Sequence, residues 1–187
     1  MNDVLEILKS CDAFLEGHFL LSSGRHSSAY CQMAYLQQYP EKCAAAMKPV
    51  AEKLRELDVD VIVGPAMGGI VYAYELARQT GKRAIFTERV DNVMTLKRFS
   101  IRPGEKVYHR RGCGDHGRVF SGDEARHRGG RRRMLGIVCV VDRTKADAPS
   151  PIPILASAAK LDLPQLCAGG MPHLQRGQAA AGASGQP

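Results

Sequence analysis

Apolar residues fall into runs whose spacing changes from helical to strand-like along the chain. Val4, Leu5, Ile7 and Leu8 recur on one face of a helix that Asn2 or Asp3 can cap. Phe19 to Leu21 and Ala29 to Gln32 read as short strands around the polar turn Ser22-Ser23-Gly24. Pro40 suits the first turn of a second helix, with Cys43, Met47, Val50, Ala51, Leu54 and Leu57 at core-facing spacing. Val59 to Val63 and Ala84 to Phe86 are strand-length apolar runs, separated by a helix-period segment that reaches Thr80 and closes on Gly81. Met94 to Ile101 reads as a strand and its approach, Pro103-Gly104 as a turn, and Glu105 to Val107 as a strand that does not complete. Gly136 to Val141 is a buried strand ending at Asp142-Arg143.

The middle of this order, from Asp58 to Asp91, is a strand, a glycine-rich turn, a helix and a strand: one βαβ unit. Its turn is Gly64-Pro65-Ala66-Met67-Gly68-Gly69. Glycines there bring bare backbone N–H groups to the start of a helix, where the helix dipole also favours an anion. Tight βα packing needs glycines too, so the turn alone supports either reading. Thr87-Glu88-Arg89 ends the next strand, on the edge where open α/β sheets place ligands.

A chain of 187 residues suits one domain with one core, expected over 1–164 with an irregular tail over 165–187. No apolar run is long enough to cross a bilayer, and the acidic, amphipathic start MNDVLEILKS does not resemble a signal peptide. Six scattered cysteines without paired spacing point to a reducing, cytoplasmic setting. The formal charge of +7 is local: between Tyr108 and Arg133, eight arginines face only Asp115, Asp123 and Glu124, leaving +2 for the rest. That stretch has no apolar periodicity, which is unusual inside a compact α/β domain. His109, His116, His127 and Cys113 match no zinc spacing, and the arginines lack interleaved aromatics, so neither a metal site nor nucleic acid is expected.

GPAMGG and FTERVD, preceded by GHFLLSSGRHSSAYCQ, together resemble orotate phosphoribosyltransferase, from about Met1 to Lys106 and again from Leu135 to Pro164. The resemblance implies a mostly parallel α/β sheet flanked by helices, with a small N-terminal hood. It also implies magnesium riding on phosphoribosyl pyrophosphate rather than held directly by the protein, orotate as second substrate, and a homodimer. Gly64, Ala66, Met67, Gly68 and Gly69 would cradle the diphosphate, and Arg89 would bind it. Lys97, beside Arg98 in MTLKRFSI, resembles a catalytic loop cation, although Arg98 runs into Phe99 where a glycine is expected. Arg143 would pair with the orotate carboxylate, for which a planar guanidinium is suited. Asp142 would cap or pair locally. Ser22, Ser23, Gly24, Arg25 and Tyr30 would form the hood, with Tyr30 either stacking on the base or packing in the core.

One block of the family is missing. Two adjacent acids and a Thr-Thr-Gly-Gly loop are expected where the chain reads Arg111-Gly112-Cys113-Gly114-Asp115-His116-Gly117-Arg118-Val119. Reading each codon from its second base lets HRRGCGDHGRV become TAEDVVTTGGS. The same offset permits an amphipathic helix over the residues through Arg133, and it forces a cysteine at Met171-Pro172 in the tail after Pro164. The expectation is therefore a frameshifted phosphoribosyltransferase, irregular over 108–133 and impaired in catalysis. The alternatives are a purine phosphoribosyltransferase, or a non-catalytic regulator that binds nucleic acid through the arginines.

Overall fold

A computed structural model describes residues 2–20, 26–91, 93–114, 134–144, 150, 152–161 and 165–166. The chain begins with helix α1 (Asn2–Lys9), which buries Val4 and Leu8. Strands β1 (Phe14–Leu20) and β2 (His26–Cys31) then pair antiparallel. Both begin earlier than the apolar runs suggest: Glu16, Gly17 and His18 separate Phe14-Leu15 from Phe19 in β1, and β2 opens on His26-Ser27-Ser28.

Helix α2 (Met33–Gln37) leads into α3 (Pro40–Glu56), with Pro40 in the first turn, where its missing N–H costs nothing. Cys43, Met47, Val50, Ala51 and Leu54 are all buried, as their spacing predicts. The βαβ unit follows as β3 (Val61–Pro65), α4 (Gly68–Thr80) and β4 (Arg83–Val90). Gly81 closes α4 in the left-handed conformation at φ 69°, with its N–H on the Ala77 carbonyl. That is the backbone geometry glycine adopts most readily.

The remaining strands are β5 (Val93–Thr95), β6 (Val107–Gly114), β7 (Met134–Asp142), β8 (Ile154–Lys160) and β9 (Gln165–Leu166). They complete a six-stranded sheet of order β5-β4-β3-β6-β7-β8, parallel except for the β4–β5 pair. A second sheet, β1-β2-β9, forms the hood. This is the expected α/β architecture.

One face of the large sheet packs Ile62, Val138, Val140, Ala156 and Ala158 against α3 and α4. Val61, Val63, Ile85 and Val107 share a second cluster, completed by Leu96, Ile101 and the half-buried Phe99.

Three expectations need correction. The segment from Tyr108 is not irregular throughout: residues 107–114 form β6, an interior strand paired with β3 and β7. Strand pairing is made by backbone N–H and C=O groups, so neighbours on both sides hold a strand that apolar alternation does not announce. Residues 165 and 166 are not irregular tail, since they pair with Ser27 and His26. Met94 to Ile101 is strand only as far as Thr95; beyond it Leu96 and Ile101 are buried in an irregular connection. Residues 115–133 and 167–187 lie outside the described residues.

Candidate active site

β3 ends, and α4 begins, on either side of Ala66-Met67, whose peptide bond is cis. The glycines around this turn divide by role. A Cβ on Gly64 would run into the Gly69 carbonyl and come within 2.9 Å of the Ala73 Cβ. One on Gly69 would collide with the Pro65 ring. These two glycines let the strand end and the first helical turn touch. Gly68 is different: a Cβ there meets nothing within 4 Å. Its openness has no packing explanation, and it leaves room beside the first-turn amides, which have no intrahelical acceptor. Met67 stands beside it, 84% exposed. From the end of α2, Gln37 Nε2 donates to the Gly68 carbonyl at 2.6 Å.

The sheet edge brings β4 to the same turn. Pro65 is in register with Thr87, and the Ala66 amide donates to the Thr87 carbonyl at 2.8 Å. Thr87 is fully buried, and its hydroxyl has no hydrogen-bond partner among the described residues. Two residues along, Arg89 is exposed on the outer part of β4, opposite Met94 of β5.

Lys97 is exposed on the connection after β5. Its neighbour Arg98 donates from Nε to Glu88 Oε2 at 2.8 Å, and that bond holds the guanidinium pKa above its ordinary value. Phe99 packs edge-on against Phe86 with centroids 4.8 Å apart. Lys97 thus sits on a short span anchored at both following residues.

Across the sheet, β7 ends at Asp142, which is buried. Its Oδ1 accepts from the Thr144 amide at 2.8 Å and from the Thr144 hydroxyl at 2.7 Å. Asp142 therefore shapes the turn locally, as the sequence suggests, and Arg143 is half-buried between the two. β7 is two strands from β3, so Arg143 and the glycine turn lie along one C-terminal edge of parallel strands.

In the hood, Tyr30 stacks on Phe19 at 5.6 Å, so the packing reading accounts for at least one of its faces. His18 and His26 stack across the hairpin and share a 2.5 Å hydrogen bond between Nε2 and Nδ1. Ser22, Ser23, Gly24 and Arg25 lie outside the described residues.

Arg111, Gly112, Cys113 and Gly114 occupy the last half of β6, with Gly114 in register with Asp142. Asp115, His116, Gly117, Arg118 and Val119 lie outside the described residues. Among the described residues, no three His, Cys, Asp or Glu side chains stand close enough to hold a metal ion.

Sequence reasoning missed two features of the site. The sequence places Thr87 at the ligand-side strand end but does not show that its hydroxyl is buried, and nothing in the sequence marks Gln37 as a tie to Gly68.

No protein-family model matches the chain. Over 105 residues, 56% of the chain, it is 51% identical to the orotate phosphoribosyltransferase of Caldanaerobacter subterraneus subsp. tengcongensis. That match spans 55% of the relative, so the chain covers about half the length of this curated protein. Among solved structures, orotate phosphoribosyltransferase from Aeropyrum pernix superposes with a TM-score of 0.61 at 23% identity, over 84% of this chain and 93% of that one. Adenine phosphoribosyltransferase from Rhodothermus marinus superposes at 0.59 and 17% identity, over 86% and 100%. The chain has the fold these phosphoribosyltransferases share, and the resemblance read from its motifs holds at high identity over more than half its length.

Proposed function

We propose that this chain, built on the phosphoribosyltransferase fold, is an orotate phosphoribosyltransferase by lineage. The reaction moves the ribose 5-phosphate of phosphoribosyl pyrophosphate onto a ring nitrogen of orotate, giving orotidine 5′-phosphate and pyrophosphate. The observation that carries this reading is the β3–α4 turn with Gly68 open beside it, within a chain 51% identical to such an enzyme over 105 residues.

The chemistry follows from charge. The C1–oxygen bond to diphosphate breaks as the ring nitrogen bonds to C1, so the transition state has oxocarbenium character and the leaving group gains negative charge. First-turn amides of α4 and the exposed guanidinium of Arg89 offer positive potential to that charge. Lys97 supplies a further cation from its anchored span. Arg143 offers a planar fork to the orotate carboxylate, two strands along the same sheet edge. Magnesium would arrive on the diphosphate and neutralise part of its charge.

Turnover by the chain as it stands is impaired. Arg111 and Gly112 occupy the positions where the resemblance puts two acids for the ribose hydroxyls. An arginine supplies no acceptor for a hydroxyl, and a glycine supplies no side chain at all.

The same reading includes a homodimer in the cytoplasm. α4 supports an interface: Met67, Val71 and Tyr74 recur at helical spacing on its solvent side, 84%, 44% and 68% exposed. No helix among the described residues is long and apolar enough to cross a membrane.

A direct test incubates the protein with phosphoribosyl pyrophosphate and either orotate or hypoxanthine, in the natural chain and in a version carrying TAEDVVTTGGS at 109–119. Orotidine 5′-phosphate from the second version supports the proposal. A purine nucleotide from either, or no product from both, overturns it.

A further inference from the structure

Thr87 stands out because packing explains everything about it except its hydroxyl. Ile85, two residues before it on the same face of β4, and Val63, in register with Ile85 on β3, are aliphatic. Valine has the same shape, suits a strand equally well and carries no polar group to desolvate. A threonine buried to 0% with an unpartnered Oγ1 is therefore an uncompensated cost in the structure as described. Its backbone meanwhile carries the anion-binding turn: the β3–β4 register ends at Pro65–Thr87, and the Thr87 carbonyl takes the next amide, Ala66. One residue thus ties the turn by its main chain and carries a buried side-chain donor and acceptor at the same strand end.

We infer that Thr87 is a positioning residue for diphosphate binding, acting through the turn. The inference rests on the function proposed above and extends it to a residue with no assigned part. When an anion draws the amides of Ala66 to Gly69 toward itself, the backbone groups at the strand end must find new partners. The Thr87 hydroxyl is the buried group at hand that can both donate and accept. It becomes satisfied in the anion-bound turn, which couples its desolvation to ligand binding. Binding then gains a hydrogen bond that valine at this position cannot supply.

The experiment measures magnesium pyrophosphate affinity by calorimetry, and melting temperature without ligand, for the full chain, Thr87→Val, Thr87→Ser and Gly68→Val. Thr87→Val should bind about three- to tenfold more weakly, the range of one net hydrogen bond, with an unchanged or raised melting temperature. Thr87→Ser should bind within about twofold of the natural chain. If Thr87→Val binds like the natural chain while Gly68→Val does not, this inference falls and the proposed function stands. If Thr87→Val melts lower and Thr87→Ser restores no affinity, the role is packing and the inference is again overturned. If the natural chain binds no pyrophosphate, the functional reading falls and takes the inference with it.

Discussion

Gly64 and Gly69 are pressed together so closely that the strand end and the helix start are in backbone contact, while Gly68 between them faces open space. Substitutions at the three glycines should therefore separate folding from binding. Gly64→Ala forces a methyl onto a carbonyl, and overpacking of that kind should cost about 1–3 kcal/mol in denaturant unfolding. Gly68→Val should change stability by no more than about 1 kcal/mol, since valine is no worse than glycine in a helix. It should nevertheless reduce pyrophosphate affinity. Calorimetry showing full affinity in Gly68→Val would remove the turn from the site.

Arg143 follows the Asp142–Thr144 turn at the end of β7. In a version with 109–119 restored to TAEDVVTTGGS, Arg143→Ala should weaken orotate binding by about 1.5–3 kcal/mol, the range for a charged hydrogen bond. Phosphoribosyl pyrophosphate should be affected far less. Equal losses in the two binding titrations would mean that Arg143 only shapes the strand end.

The anomalous block predicts its own repair. Replacing HRRGCGDHGRV by TAEDVVTTGGS should raise orotate-dependent turnover by about 10²-fold or more, the scale of a lost electrostatic contact set. Resequencing the source DNA is the complementary check. Robust turnover by the natural polypeptide, with its mass confirmed, would contradict the frameshift reading of this segment.

Tyr74 offers a test of assembly. Tyr74→Glu, on the solvent side of α4, places a charge in the apolar stripe with Met67 and Val71. Sedimentation should show a shift from dimer to monomer, with the far-ultraviolet spectrum unchanged. A natural chain that sediments as a monomer would exclude this interface.

Glu75 on the same helix is a pH probe. Its carboxylate accepts from Arg78 Nε at 2.9 Å and Nη2 at 2.8 Å, and from Gln79 Nε2 at 2.7 Å. The Arg78 hydrogen bonds pull its pKa below the ordinary value, against the opposing effect of burial. A carboxyl whose folded pKa is lowered stabilises the protein above its unfolded pKa and loses that contribution as pH falls through the folded one. Glu75→Gln should therefore lower the melting temperature near neutral pH, and the difference should shrink toward pH 3. A difference independent of pH would assign the effect to packing.

Where the sequence was legible, periodicity and punctuation agreed. Pro40 and the spacing from Cys43 to Leu54 announce α3, and Gly81 marks the end of α4. β8 was not legible, because ILASAAK buries small alanines rather than an alternation of large apolar groups. β6 was hidden for a different reason: its HRRGCG carries no apolar pattern, and its pairing comes from strands on either side. In the site, motifs pointed to Gly68 and Arg143, but which glycine is open and which hydroxyl is orphaned depend on three-dimensional contacts that no spacing encodes.

β6 is the seam of the large sheet, the strand through which β5-β4-β3 reach β7-β8. Helix α3 packs on β7 and β8, while α4 covers β3 and β6, and the apolar faces of both helices meet in one core. The cover of α3 is therefore supplied partly by residues after 133, so a helix complete by Glu56 depends on the legible sequence resuming at Met134. A premature stop within the arginine-rich stretch would leave more than a shortened enzyme: it would strip an early helix of its roof and deliver a sticky fragment to the cell's proteases.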